Sequence, residues 1–318
     1  MVTPMIRAVK QVFRHAQIDV LVIPETAGLL TNNPNIRAIQ AFDKRQNKFR
    51  SFFRTVFQLR KQKYDAAFLP HSSFTTIALV TFSGIKQRIG FDRNISRYFL
   101  TRRMVFRNGI HRIDKNLDLI RSFLDLSFDL QTELFPDPSV REGIGKRLSQ
   151  HFGSGKTLIA VAPGSVWNTK RWPEEHYVQL VKLLSERGFG IVLIGSTEER
   201  PLCEIIKPRE NSLNLAGETN FLESASVLEK CKLLICNDSG AMHIANAVKT
   251  DVVAFFGSTV KSIGYFPYRK EDVVLELDLE CRPCSSHGGD KCPLGHHNCM
   301  KQLSVKSAFD VIIKKLSK

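Results

Sequence analysis

Short apolar runs alternate with helix-patterned stretches through the second half of this chain, and that alternation constrains its fold more than any other feature. TLIAVAPG (157–164) is an apolar run closed by Pro-Gly, the pattern of a strand and its turn. PEEHYVQLVKLLSERG (173–188) opens with Pro and two acids, carries apolar residues at helical spacing and stops at Gly188. GIVLIG (190–195) reads as a strand and NSLNLAG (211–217) as the end of another. FLESASVLEKC (221–231) reads as a helix, KLLICND (232–238) as a strand and SGAMHIANAV (239–248) as a helix. DVVAFFG (251–257) and DVVLEL (272–277) complete the set. Strands alternating with helices in units of about 30 residues predict a parallel sheet covered on both faces.

The first half alternates less cleanly. TPMIRAVKQVF (3–13) reads as a helix, with Thr3 as N-cap and Pro4 at the first helical position. IDVLVIPE (18–25), IRAIQAFD (36–43), YDAAFLP (64–70) and QRIGF (87–91) read as strands. The segment 135–156 carries Pro, Gly and charge, so the expected boundary lies near residue 150, giving α/β domains over 1–150 and 151–318 with a cleft between them. A sheet of this class begins with a strand feeding the first helix, whereas this chain begins inside that helix. The first strand is therefore expected to be missing, with the natural start upstream of Met1.

The chain has 318 residues, 43% hydrophobic and 24% charged, a globular rather than a disordered balance. No apolar run approaches the ~20 residues that cross a bilayer, and residues 1–15 lack a signal peptide's apolar stretch, so a cytoplasmic location is expected. The net charge of +15 is unevenly spread. Residues 1–150 hold 25 Lys and Arg against 12 Asp and Glu, while residues 151–318 hold 21 against 19. The first half is expected to face something anionic: nucleic acid, an acidic membrane surface or a phosphorylated small molecule.

Two strand-to-helix loops point to an anion. In VAPGSVWNTKRWP (161–173), Gly164 and Ser165 let backbone N–H groups approach a ligand, and Lys170 and Arg171 follow. In CNDSGAMH (236–243), a strand ends at Asp238-Ser239-Gly240 and a helix begins, offering unpaired N–H donors and a positive dipole end. Both loops fall at carboxyl ends of strands, where open α/β sheets bind ligands. Taken singly, each reads as ordinary caps and a solvated lysine; together they point to a phosphate site.

PGSVWNTKRWPEEHYVQLVKLL, LAGETNFLESASVLEKCKLLICNDSGAMHIANAV and the opening VTPMIRAVKQVF resemble glycosyltransferase family 9, and within it the type II ADP-heptose:lipopolysaccharide heptosyltransferases. The resemblance implies two Rossmann-like domains in a GT-B arrangement, with the nucleotide sugar on the C-terminal domain and the acceptor on the N-terminal one. It puts the phosphate-contacting hydroxyl on Ser165, the phosphate-binding lysine on Lys170 and the diphosphate turn on Asp238, Ser239 and Gly240, with the family's histidine at His243. The ribose-binding acid falls on Glu198, with Glu199 as an equal neighbour, and Thr219 falls beside the base. Lys170 and the Ser239 helix end could stabilise a leaving diphosphate without a divalent metal, so no cofactor is expected for transfer. The family's general base, an Asp in a Gly-Asp turn after the first strand, would precede Met1. The chain as written is therefore expected to bind donor and to transfer poorly.

Two segments lie outside that site. CRPCSSHGGDKCPLGHHNC (281–299) carries Cys281, Cys284, Cys292 and Cys299 with His287, His296 and His297 between them. It reads either as a structural zinc knuckle or as a loop of reduced or redox-labile thiols. KRQNKFRSFFRTVFQLRKQK (44–63) has eight cations, no acid, and Phe49, Phe52, Phe53 and Phe57 at helical spacings. It reads as an amphipathic helix with most of its Phe residues in the core, or as an interfacial helix on anionic lipid.

The function expected is inverting transfer of heptose from ADP-heptose to the lipopolysaccharide inner core, at the anionic inner-membrane surface. The alternatives are a family 9 transferase using another sugar and a non-catalytic polyanion binder. Nucleic acid is not expected as a partner, because no stacking platform or recognition motif is present.

Overall fold

A computed structural model describes residues 1–43, 48–71, 73–124 and 126–317. They fall into two compact units, Met1–Thr132 and Glu133–Lys318. Both are built from parallel strands and helices, the architecture that the alternation predicts.

In the first unit the strands are β1 (Asp19–Val22), β2 (Ala38–Ala41), β3 (Ala66–Leu69), β4 (Gln87–Phe91) and β5 (Arg102–Met104). The helices are α1 (Thr3–Val12), α2 (Pro24–Ala27), α3 (Lys48–Gln62), α4 (Phe74–Phe82) and α5 (Arg112–Arg121). The strands form two parallel sheets, β1-β2 and β3-β4-β5, and no described strand joins them. Thr3 is not the N-cap: it is buried as the first helical residue, and Val2 takes the cap position without a side-chain bond. The apolar side of α1 (Met5, Ile6 and Val9) is buried, as are Ile113, Leu117 and Ile120 of α5, which packs against it. Each such side chain contributes roughly 1.5–3 kcal/mol by leaving water.

The second unit starts with α6 (Pro138–Phe152), where Asp137 caps the helix through the Ser139 N–H and Pro138 stands in the first turn. The expected linker is thus mostly helix. Leu148 is buried in the second unit's core, and Arg141 makes a two-pronged pair with Glu229 at 2.9 Å on each side. Those contacts put the division before α6, at Thr132, rather than near 150.

The remaining elements alternate: β6 (Leu158–Ala162), α7 (Glu174–Glu186), β7 (Gly190–Leu193), α8 (Arg200–Ile206), β8 (Ser212–Asn214), α9 (Phe221–Glu229), β9 (Leu233–Asn237), α10 (Gly240–Ala247), β10 (Asp251–Phe256) and β11 (Val273–Glu276). Two further helices, α11 (Asn298–Lys301) and α12 (Val305–Leu316), close the chain. The six strands form one parallel sheet in the order β11-β10-β9-β6-β7-β8. Alternate residues of β6 feed opposite faces: Ile159 and Val161 join one core with α7 and α12, while Leu158, Ala160 and Ala162 join the other with α6, α9 and α10. The order reverses between β6 and β9, which pair directly with Ala162 opposite Cys236. Such a reversal leaves a crevice at the carboxyl ends of the two strands.

Candidate functional site

The loops after β6 and β9 flank that crevice, and one side chain ties them together. Asn237, the last residue of β9, is fully buried. Its amide N–H2 donates to the carbonyl oxygens of Pro163 (2.7 Å) and Gly164 (3.3 Å). Its amide oxygen accepts from the Trp172 backbone N–H (3.0 Å) and the Tyr177 hydroxyl (3.1 Å). All of its hydrogen-bonding capacity is spent on the first loop and the start of α7. Trp172 is buried and stacked on Phe255, with ring centroids 4.2 Å apart, and its indole N–H donates to the Leu303 carbonyl at 2.9 Å. The tryptophan of KRWP is therefore an anchor for the loop, not a ligand contact.

With the loop so held, Lys170 Nζ lies 2.7 Å from Asp238 Oδ2, and both side chains are nearly buried. Thr259 donates to the same carboxylate oxygen at 2.6 Å. Asp238 is thus no helix cap, and Lys170 is no solvated surface charge. Ser239 stands at the N-cap of α10, but its hydroxyl makes no capping bond. Gly240, the first helical residue, is exposed, and a Cβ there would meet nothing within 4 Å. The helix end presents its N–H groups and its positive dipole beside Lys170.

Across the crevice, Ser165 is buried and its carbonyl accepts from Arg171 Nε at 2.8 Å. Gly164 lies against the Glu199 side chain: a Cβ there would stand 1.8 Å from Oε1, so a larger residue must push that carboxylate aside. Of the two candidate acids, Glu199 faces this turn, while Glu198 is exposed and its carboxyl is held low by a hydrogen bond from the Ser196 side chain. Glu199 also accepts from the Ser196 N–H at 2.9 Å. Thr219, half-buried, shares a 2.9 Å hydrogen bond with Ser224. His243 is half-buried in the first turn of α10.

The cysteine-rich loop supports this site by hydrogen bonds. Thr169, beside Lys170, exchanges two bonds with Gly289: its backbone N–H donates to the Gly289 carbonyl (3.0 Å) and its hydroxyl accepts the Gly289 N–H (2.9 Å). His297 Nε2 lies 3.0 Å from the Thr169 carbonyl. Arg282, almost wholly buried, donates to the carbonyls of Gly257, Leu277, Phe256 and Thr259 and pairs with Glu276 at 2.9 Å. All four cysteines are free thiols: Cys299 is buried, Cys281 and Cys292 half-buried and Cys284 exposed. Among the described residues no three His, Cys, Asp or Glu side chains are arranged to hold a metal ion. Of the two readings of this segment, zinc knuckle and loop of reduced thiols, the described residues show no assembled ligand set for the first. Buried arginine and backbone pairing hold the loop, with Cys299 packed into the sheet's core.

A second polar cluster, in the first unit, is not legible in the sequence. Lys115 of α5 is only 6% exposed, and its ammonium lies 4.7 Å from the Phe106 ring centroid. The Arg93 guanidinium stands 4.1 Å from that centroid. Burial lowers the Lys115 pKa, and Arg112 and Arg93 lower it further. The nearby acids are engaged elsewhere: Asp118 with Arg107 (2.6 Å) and Arg121 (2.9 Å), Asp114 with Arg121 (3.3 Å). Among the described residues no acid pairs with Lys115. Arg93 and Phe106 also line an open concavity of about 280 Å³ with Asp92, Val105 and Asn108.

Residues 52–293 match glycosyltransferase family 9 (heptosyltransferase). The chain is 27% identical to lipooligosaccharide heptosyltransferase 2 of Campylobacter jejuni, over all of this chain and 95% of that protein. It is 30% identical to lipopolysaccharide heptosyltransferase 2 of Escherichia coli K12, over 63% of this chain and 61% of the relative. Its fold is shared with E. coli ADP-heptose lps heptosyltransferase II, at a TM-score of 0.80 and 23% identity over 99% of this chain and 93% of the other. It is also shared with a family 9 glycosyl transferase of Veillonella parvula, at a TM-score of 0.85 and 21% identity over 99% and 92% of the two chains. A site at the sheet's reversal point and a match across most of the sequence lead to one assignment: this chain belongs to glycosyltransferase family 9, the heptosyltransferase family.

Proposed function

We propose that the second unit binds ADP-heptose and that the protein transfers its heptose, with inversion, to the inner core of lipopolysaccharide. The observation that carries this reading is the Lys170–Asp238 pair, 2.7 Å apart beside the uncapped start of α10. An ammonium and a row of backbone N–H groups converge where a diphosphate would lie. The relatives named above, heptosyltransferases of lipooligosaccharide and lipopolysaccharide, supply the sugar and the acceptor class.

In this reading Lys170, Ser165 and the N–H groups of Ser239 and Gly240 hold the diphosphate. Asp238 keeps the lysine in place through its own bond to Thr259. Glu199 accepts the ribose hydroxyls, Thr219 lies by the base, and His243 faces the diphosphate from the first turn of α10. An acceptor hydroxyl oxygen bonds to the sugar's ring carbon, its proton passing to a base other than these residues. As it does so, the bond to the diphosphate breaks and negative charge grows on that leaving group. Fixed donors stabilise that charge more than the ground state and so lower the barrier. Lys115, Arg93 and Arg112 give the first unit a cationic cluster suited to the phosphates and carboxylates of the acceptor. No helix among the described residues is long and apolar enough to cross a membrane. The protein works at the cytoplasmic face of the inner membrane, where that acceptor is anchored.

Isothermal titration with ADP tests the donor site. Lys170→Ala is expected to weaken binding by about tenfold or more, the scale of one charge-assisted contact to phosphate. Unchanged affinity would remove the basis of the reading. A competition series with other nucleotide sugars tests the heptose assignment.

A further inference from the structure

Helix α3 turns its aromatic residues in two directions. Phe52, Thr55, Val56 and Leu59 face inward against Phe42 and Leu79. Phe49, Phe53 and Phe57 are 82%, 56% and 68% exposed. These three, spaced by four, form one row covering about 80° of the helix circumference at 3.6 residues per turn. Phe82 of α4, 66% exposed, extends the row through Phe52, whose ring it meets edge-on at 6.2 Å, while Phe52 meets Phe53 at 5.5 Å. The expectation that most of these Phe residues are core is overturned: only Phe52 packs inward. Isolated exposed apolar residues are ordinary, but a contiguous aromatic row marks a contact surface.

The same helical projection puts Arg50, Arg54 and Lys61 along one flank of the row, all exposed, and α3 contains no Asp or Glu. Lys44 and Arg45 of this segment lie outside the described residues. We infer that α3 is an in-plane docking helix that seats the first unit on an anionic bilayer, Phe49, Phe53 and Phe57 entering the acyl boundary and Arg50, Arg54 and Lys61 meeting the headgroups. Charge decides between occupants. A second copy of this chain would bring the same cationic flank against itself, whereas an anionic lipid surface complements it. The first unit as a whole carries 22 Lys and Arg against 9 Asp and Glu, which draws it toward the same surface. The inference rests on the reading that the acceptor is a membrane lipid, and it names the element that meets the membrane.

Sedimentation of the full chain with vesicles tests it. Wild type is expected to bind phosphatidylglycerol–phosphatidylethanolamine vesicles, to release in high salt and to ignore pure phosphatidylcholine. The Phe49→Ser/Phe53→Ser/Phe57→Ser variant is expected to lose about tenfold or more in partitioning, and so is Arg50→Gln/Arg54→Gln/Lys61→Gln on the anionic vesicles. Both change only exposed side chains, so the melting temperature and ADP affinity are expected to stay at wild-type values. Wild-type binding to both vesicle types alike, or no loss in either variant, overturns the inference. A row that proves to hold a dimer, with wild type dimeric and the Phe variant monomeric at unchanged vesicle binding, overturns it as well. Failure at the vesicles with ADP binding intact leaves the donor-site reading standing, whereas loss of ADP binding from wild type would strike that reading alone.

Discussion

Lys170 Nζ stands 2.7 Å from Asp238 Oδ2, and this pair joins the loop after β6 to the loop after β9. The carboxylate is buried, so removing its partner leaves a charge held by Thr259 alone. Lys170→Ala is accordingly expected to cost stability as well as ADP affinity, by about 2–4 kcal/mol for a broken, largely buried pair. Urea unfolding of the single variants and of Lys170→Ala/Asp238→Ala checks this. The double variant is expected to be more stable than the sum of the two losses allows.

Asn237 sets the geometry of the same loops without touching ligand. Asn237→Ala would orphan the Trp172 N–H and the Pro163 carbonyl, both in the interior. The expected cost is about 3–5 kcal/mol, from several buried groups left unpaired at once. Asn237→Asp sets a buried carboxylate against the Pro163 and Gly164 carbonyl oxygens, so at neutral pH it is expected to lower the melting temperature at least as much as Asn237→Ala.

Gly164→Ala tests the close approach of Glu199. The added methyl must displace a carboxylate that lies 1.8 Å from the Cβ position. We expect a loss of about 1–3 kcal/mol, the range for overpacking, together with weaker ADP binding. Adding Glu199→Ala is expected to restore much of the stability and none of the affinity, read by unfolding and calorimetry on the same samples.

Asp19 of β1 gives the first unit a pH signature. Arg37 donates to it at 2.8 Å, and that bond, with another from Tyr64, holds its carboxyl below the ordinary carboxylate value. Tyr64 in turn is pushed up to about 12, chiefly by burial and then by Asp19. Between the lowered folded pKa and the unfolded value the folded chain binds fewer protons, so stability rises with pH there. The contribution is complete above the unfolded value and is lost as pH falls through the folded one. Asp19→Asn is expected to be destabilised at neutral pH by about 1–3 kcal/mol, with the gap from wild type closing in acid. Urea midpoints across an acid-to-neutral series measure it.

The two loops at the crevice were legible because small residues directly after apolar runs mark places where another group comes close to the backbone. Pro163-Gly164-Ser165 and Asp238-Ser239-Gly240 both carry that signal. Asn237 was not, since a polar residue at the end of an apolar strand looks like its turn. Nor did the sequence separate Glu198 from Glu199, which differ only in the direction a helix entry turns them. Helix α6 was hidden by its Pro, Gly and charge, having Leu148 as its one wholly buried apolar residue. β5 was hidden by being three residues long with two arginines. The Phe rows of α3 mislead for a different reason: periodicity shows that a face is apolar, and only packing shows what covers it.

A crystal structure with ADP tests the central claim most directly. We predict the diphosphate between Ser165 and Lys170 on one side and the N–H groups of Ser239 and Gly240 on the other, with the ribose toward Glu199. Clear density for ADP anywhere else on the protein, with that crevice holding only solvent, would contradict the account.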